Sequence, residues 1–478
     1  MRIAPVLILL LIAVGGCKRA TPAIGESPPE KPVDASQLPM KYKDYNLVFV
    51  SFDALQASHV GSLGYSRNIT PTIDAIARQS FTFTNTISVV SWTVPASMTW
   101  FTGVYPSEHR MTNKYAVYNR DVRKPANLKE LAPTLVTLAD LFRQHGYATA
   151  GFTGNAGVSG GFGYEQGFDV YVHETAKFGG FDYSIPCALE WLKANRQRKF
   201  FLFLHGYDCH GQNAPPGGYD YRFVNKDYDG KYLGTTLEQE ALREEGLDRG
   251  FLTMRDQDVR FWRAIYDEKI NRADERFKHF MAEFDTLGIN DKTLFILTSD
   301  HGTEFYEHRR LDHGFTLYNE QLHVPLFIKF PGQSSQRIIA DRCSSIDVMP
   351  TILGIMDLPV PTQLRGTSLV PAMKGEAIRK DVFSETDYRA YTYKRSIVSV
   401  DGWKLIYTLE ARTRELYDLN TDPHETKNVA ATERPRADEL ERKLFAHFAS
   451  IGHDLSARRW EPGMNPVYAS QGKDDAKK

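Results

Sequence analysis

Four runs that are apolar on both faces punctuate the chain: NLVFVSF (46–52), KFFLFLH (199–205), TLFILTSDH (293–301) and VPLFIKFPG (324–332). Such runs suit strands of a parallel sheet covered by helices on both sides. Between them the apolar spacing predicts helices over PTIDAIARQS (71–80), PTLVTLADLFRQHG (133–146) and FWRAIYDEKINRADERFKHFMAEFDTLG (261–288). Thr70 is the expected N-cap of the first, with Pro71 at its first position, and Gly146 ends the second. Strands alternating with helices predict an α/β fold, an α/β/α sandwich around a large, mostly parallel sheet.

After about residue 375 the pattern changes. RSIVSVDGWKLIYTL (395–409) and RELYDLNTD (414–422) predict a small C-terminal antiparallel sheet, and ERPRADELERKLFAHFASIG (433–452) a closing amphipathic helix. From about 213 to 258 periodicity gives way to Gly, Tyr and Pro and then the charged TTLEQEALREEG (235–246), which can form a helix; the region reads as a solvated loop or as an insertion or lid over a site.

The chain begins MRIAPVLILLLIAVGGC, with a basic Arg2, an apolar run from Val6 to Val14 too short to span a bilayer, and small residues before Cys17. This reads as a signal peptide over 1–17 whose end resembles a bacterial lipobox, with Cys17 lipidated; a plain signal peptide is the alternative. Residues 18–42, rich in Pro and polar residues, are expected to form a flexible tether, followed by a catalytic domain over 43–374 and a subdomain over 375–478. The expected location is the cell envelope, anchored to a bacterial membrane at the periplasm or cell surface.

Composition adds bounds. With 42% hydrophobic and 24% charged residues in 478, the chain can bury a large core. Its 58 Lys+Arg against 59 Asp+Glu leave a net charge of -1, giving no field to gather nucleic acid. Beyond Cys17 only Cys187, Cys209 and Cys343 remain, so disulfides do not organise this fold.

Candidate chemistry collects at strand ends. Asp53 ends the first strand and Asp300-His301-Gly302 a later one, a donor set suited to a hard cation. In SWTVPASMTWFTGVYPSEH (91–109), Thr93 stands at the start of a short helix ending near Gly103. It is either an N-cap or a hydroxyl that a helix dipole and a metal activate as a nucleophile.

Seven segments in order resemble the signatures of the sulfatase family, within the alkaline phosphatase superfamily. They are FVSFDALQASHVGSLGY with ITPTIDAIARQSFTFTN, the Thr93 block, GFTGNAGVSGGFGYEQGFDVY, FLHGYDCHG, TLFILTSDHG, DHGFTLYNEQLHVPLFIKFPG and GWKLIYTLEARTRELYDLNTDPHETKNVA. The resemblance implies that Asp53, Asp300, His301 and Thr93 hold one divalent metal ion: calcium, manganese, magnesium or zinc. It also implies that Thr93 is the nucleophile, and that His210, His313 and Asn155 meet the ester. His205, Asp208 and Cys209 stand close enough to touch the site or to support it, or they serve a purely structural role at the strand end.

Two departures matter. Where sulfatases carry Cys or Ser in C/S-x-P-S-R, the precursor of formylglycine, this chain has Thr93, Pro95, Ala96 and Ser97; Ala54 replaces a second Asp. Thr nucleophiles occur in phosphodiesterase, phosphonate hydrolase-like and phosphoglycerol transferase relatives. The expected function is therefore a metal-dependent sulfatase-like hydrolase cleaving or transferring a phosphate or sulfate ester of a small molecule, glycan or lipid. A true sulfatase and a non-catalytic binding lipoprotein are the alternatives.

Overall fold

The computed structural model describes residues 33–111, 131, 134–154, 157–160, 163–174, 178–215, 217–388 and 391–456. In chain order the first elements are β1 (Asn46–Phe52), α1 (Pro71–Ala77), β2 (Phe81–Ile87), α2 (Thr93–Thr102), α3 (Pro106–His109), α4 (Leu138–Gln144), β3 (Ala148–Thr153) and β4 (Val170–His173). Next come α5 (Phe181–Asn195), β5 (Phe200–Gly206), α6 (Thr236–Arg249), α7 (Asp256–Thr286), β6 (Thr293–Ser299), β7 (Glu304–Phe305), β8 (Leu311–Asp312), α8 (Asn319–Leu322) and β9 (His323–Lys329). The remainder are β10 (Arg337–Ile339), β11 (Cys343–Ser344), α9 (Val348–Met356), α10 (Val370–Met373), β12 (Val382–Tyr388), β13 (Thr392–Val398), β14 (Trp403–Thr408), β15 (Thr413–Asp418) and α11 (Arg434–Ser450).

The large sheet runs β10-β2-β9-β6-β1-β5-β3-β4, with β11 also paired to β2. Strand β1 lies parallel to both β5 and β6. Strand β9, the run VPLFIKF, is antiparallel to both its neighbours, so the sheet is mixed but mostly parallel. Both faces are covered, as the continuous apolar runs require. Along β1, Leu47 and Phe49 enter one core with α2, α4 and α9, while Val48, Val50 and Phe52 enter the other with α1, α5 and α7. A four-stranded antiparallel sheet, β12-β13-β14-β15, packs against α11 through Ile397, Leu405, Leu440, Leu444 and Phe448.

Several local expectations need correction. Thr70 is the N-cap of α1, as expected, but its side chain makes no capping bond; the Asp274 carboxylate of α7 accepts the Thr72 and Ile73 N–H groups instead. Helix α4 begins at Leu138, because Thr137 and Asp140 form a capping box there. The stretch expected to run free through residue 42 is seated from Val33 onward. Val33 bridges Gln333, and Leu38, Met40 and Tyr42 are buried. Cys187, Cys209 and Cys343 are unbridged, and Cys17 lies outside the described residues. Among the described residues no helix is long and apolar enough to cross a membrane.

Candidate functional site

Three parallel strands deliver the site. At the carboxyl end of β1 the chain turns through Asp53 and Ala54, and Ala54 takes a positive φ of 56° that an alanine adopts only under constraint. The constraint is visible. Ala54 N donates to Asp300 Oδ1 at 3.0 Å, Leu55 N to Ser299 Oγ at 2.9 Å, and the Tyr266 hydroxyl of α7 to Ala54 O at 2.6 Å. Gly302, after β6, admits no side chain, since a Cβ would come 2.1 Å from the Glu320 carbonyl oxygen. Beneath the site Ser88 Oγ donates to Asp300 O at 2.6 Å.

The Trp92 backbone is the N-cap of α2, so Thr93 is the first helical residue and its hydroxyl is not used for capping. Instead Thr93 Oγ1 lies 3.1 Å from Asp53 Oδ2 and 3.1 Å from His301 Nε2, in a pocket that leaves the residue 6% exposed. Gly103 ends the helix at φ 66°.

Asp53, Asp300 and His301 are fully buried, and one donor atom from each lies within 4.8 Å of the others. Among the described residues Asp53 Oδ1 and Asp300 Oδ2 have no hydrogen-bond partner. Two buried carboxylate oxygens left bare, facing an imidazole and a hydroxyl, suit a divalent cation. Burial and the neighbouring Asp300 push the Asp53 carboxyl well above its usual range. Burial pushes Asp300 up as well, but His301, His205 and the Ala54 N–H outweigh it and hold Asp300 below that range. His301 Nδ1 donates to Gly302 O at 2.7 Å, which leaves Nε2 with its lone pair toward Thr93 and the carboxylates.

His210 and His313 stand beside this cluster. Their rings are 5.0 Å apart, and His313 is 4.3 Å from the His301 ring. His210 Nδ1 accepts the Gln212 N–H at 3.2 Å, so its Nε2 carries the proton. Burial, then His313, hold His210 well below an ordinary histidine, in the neutral form. Asp312 Oδ1 lies 2.6 Å from His313 Nδ1 and accepts its backbone N–H at 3.0 Å. Burial raises Asp312, but His313, Arg243 and His210 outweigh it and keep the carboxyl ionised.

Of the predicted residues, then, Asp53, Thr93, Asp300, His301, His210 and His313 come together, and Asn155 lies outside the described residues. His205 is fully buried with Nε2 3.4 Å from Asp53 Oδ2, and burial lowers it to about 4. Asp208 is engaged elsewhere: it accepts Phe181 N at the start of α5 at 2.7 Å and pairs with Arg276. Cys209 is packed in the apolar core. Sequence reasoning passed over Tyr266 and Lys269 of α7. Lys269 Nζ donates to the carbonyls of His210 and Gly211, both at 2.9 Å, and burial lowers it to about 8. Their only sequence signal is that they fall on the buried stripe of α7 with Trp262, Ala273 and Phe277.

Comparison with known proteins gives the site a context. The profile described as Sulfatase matches residues 45–358, and that described as N-sulphoglucosamine sulphohydrolase, C-terminal, matches 306–452. Arylsulfatase K of Bos taurus is 30% identical over 203 residues, a match spanning 40% of this chain and 37% of that protein. A delta 4,5-hexuronate-2-O-sulfatase of Bacteroides thetaiotaomicron is 22% identical over 430 residues, covering 80% of this chain and 84% of that one. The crystal structure of a phosphonate monoester hydrolase of Agrobacterium radiobacter superposes with a TM-score of 0.68 at 21% identity, covering 85% of this chain and 96% of that chain.

Proposed function

The chain belongs to the sulfatase family, and from that premise we propose that it is a metal-dependent ester hydrolase that attacks a phosphate or phosphonate ester with Thr93. The observation carrying this reading is the Thr93 hydroxyl, free of capping duty and 3.1 Å from both Asp53 and His301.

In this reading Asp53, Asp300, His301 and Thr93 hold a divalent cation. When bound, it supplies positive charge that lowers the pKa of the Thr93 hydroxyl and neutralises a non-bridging ester oxygen. The remaining work falls to the chain. Thr93 sits at the N-terminus of α2, where the helix dipole favours oxygen carrying negative charge. Its proton leaves toward Asp53 Oδ2, 3.1 Å away, while Asp53 Oδ1 and His301 Nε2 are left to the cation. Thr93 Oγ1 attacks in line, forming a covalent Thr ester as the leaving oxygen departs. His210, neutral with its proton on Nε2, and His313, held by Asp312, donate to the ester or leaving oxygens. Water or a second hydroxyl then releases the group from Thr93.

The preference for phosphorus rests on Thr93 and on the absence of C/S-x-P-S-R. A second reading, a sulfuric ester hydrolase, is favoured by the sulfatases among its relatives. Rates on matched aryl phosphodiester, phosphonate and sulfate substrates, with Thr93→Ala alongside, separate the two. Dominant sulfate turnover that vanishes in the variant would overturn the phosphorus preference.

From the sequence we further infer lipidation at Cys17, attachment to a bacterial envelope membrane, a natural ester of a small molecule, glycan or lipid as substrate, and a functional division near residue 375. Metabolic labelling with a palmitate analogue, lost in Cys17→Ser, tests the anchor.

A further inference from the structure

The insertion between β5 and α7 reaches the histidine pair. Helix α6 presents Gln239 and Arg243, one turn apart on one face, and both are buried, 2% and 5% exposed. Arg243 Nη1 lies 3.6 Å from Asp312 Oδ2, the oxygen that also accepts Gln212 Nε2 at 2.6 Å. The other Asp312 oxygen grips His313. Asp312 itself holds a φ of 92°, in the left-handed half of backbone space, where a residue with a side chain stays only if its surroundings fix it. One turn earlier on α6, Gln239 packs onto Gly211, where an added Cβ would come 2.1 Å from its Nε2; that Nε2 is buried with no hydrogen-bond partner among the described residues. Gly211 directly follows His210, and Lys269 ties the carbonyls of both to α7.

We propose that α6 is a clamp on the active site, in which Arg243 is a positioning residue that fixes His313 through Asp312 and Gln239 seats the His210 turn through Gly211. Gln239 and Arg243 are then the site-facing residues of the charged stretch 235–246, which is not a solvated loop. This rests on the reading of His210 and His313 as the groups that meet the ester. Two features give the arrangement its force. A guanidinium beside Asp312 keeps that carboxylate oriented by charge even where the contact is longer than a hydrogen bond. A glycine at 211 lets the helix approach the His210 turn more closely than any side chain would allow.

Arg243 also pairs with Glu240 at 3.1 Å and Glu244 at 2.8 Å on its own helix, which offers a purely local role. The test distinguishes the two. Crystal structures, bound metal, kcat and KM on an aryl phosphodiester are compared for wild type, R243M, R243K and the double variant Glu240→Gln/Glu244→Gln. In R243M the His313 ring is expected to leave its place 4.3 Å from the His301 ring. Its kcat is expected to fall about 10- to 100-fold with KM changed less than about threefold, the signature of lost orientation. R243K recovers part of kcat, and the double Glu variant stays within about twofold of wild type. Bound metal is unchanged throughout.

An unmoved His313 ring in R243M, or a loss in the double Glu variant equal to that in R243M, overturns the clamp. Should R243M fail to fold, Gln239→Ala reads the other arm: the His210 ring is expected to shift from its 5.0 Å separation from His313, and an unmoved ring counts against the proposal. Wild type that turns over no ester would instead sink the enzymatic reading, while the ring positions still judge the clamp.

Discussion

Thr93 Oγ1 lies 3.1 Å from His301 Nε2, although 208 positions separate the two residues in sequence. The His301 ring is turned by its Nδ1 bond to Gly302 O, so the nitrogen facing the hydroxyl carries a lone pair. A threonine so placed can lose its proton. An N-capping threonine would have spent its oxygen on backbone N–H groups, and in α2 it has not.

Replacement of Thr93 by Ala should therefore lower kcat by about three orders of magnitude or more, about 4 kcal/mol of barrier. Thr93→Ser, which keeps the oxygen, should retain a measurable fraction. Steady-state rates with circular dichroism as a fold control check both. Equal loss in the two variants would argue that the methyl group, not the oxygen, is what the site needs.

Ion binding should release a proton. Burial and Asp300 push Asp53 up when the site holds no cation, so protons compete for that carboxylate as pH falls. Affinity for a divalent cation should rise with pH above the usual carboxylate range. Calorimetry in buffers of different ionisation enthalpy would report the release, and Asp53→Asn should abolish it. Saturating the site at about 100 times Kd should add about 3 kcal/mol of stability, which chelation removes.

Stability should decline in alkaline solution through His308. Its ring stacks on Tyr318, 3.6 Å between centroids, and bridges Glu320 at 2.7 Å and the Glu425 carbonyl at 2.9 Å. Against the opposing effect of burial, the Glu320 bond and charge raise it from 6.5 to about 9. A histidine raised in the folded state stabilises fully below pH 6.5 and loses that contribution as pH climbs through about 9. Buried Glu304, raised by burial and Glu320 to about 8, acts in the same direction, because the folded state retains a proton the unfolded chain has lost. Thermal unfolding from pH 6 to 9.5 should show Tm falling, and His308→Gln should flatten the upper part. A Tm that rises over this range would contradict the assignment.

The C-terminal sheet is held by a buried charge group. Arg395, fully buried, lies 2.7 Å from Asp387 and 3.4 Å from Glu385, and Glu385 accepts Ser107 N from α3 at 2.9 Å. Arg395→Met leaves that carboxylate unpaired in a dry place and should cost about 3–5 kcal/mol, read by urea unfolding. A cost below about 1 kcal/mol would mean that water reaches the pair.

The strands that carry the site were legible because they are apolar on both faces, and β1 coincides with NLVFVSF. The direction of β9 was not, since a buried strand reads alike in a parallel or antiparallel ladder. Strands β2, FTFTNTI, and β3, ATAGFT, carry Thr, Asn or Gly among their apolar residues, which blurred their pattern. Asp53, Asp300 and His301 could be anticipated because a parallel sheet gathers strand ends at one edge. Tyr266, Lys269 and Arg243 could not. They reach the site from helices distant in sequence, where a polar residue on a buried face gives no sign of what it will meet.

The most direct test of the account is peptide mass spectrometry of enzyme quenched during turnover of an aryl phosphodiester or phosphonate. An adduct of the transferred phosphoryl or phosphonyl mass is expected on the peptide carrying Thr93, absent in Thr93→Ala. Thr93 unmodified at every time point, in an enzyme whose Thr93→Ala variant still turns over at the wild-type rate, would contradict it.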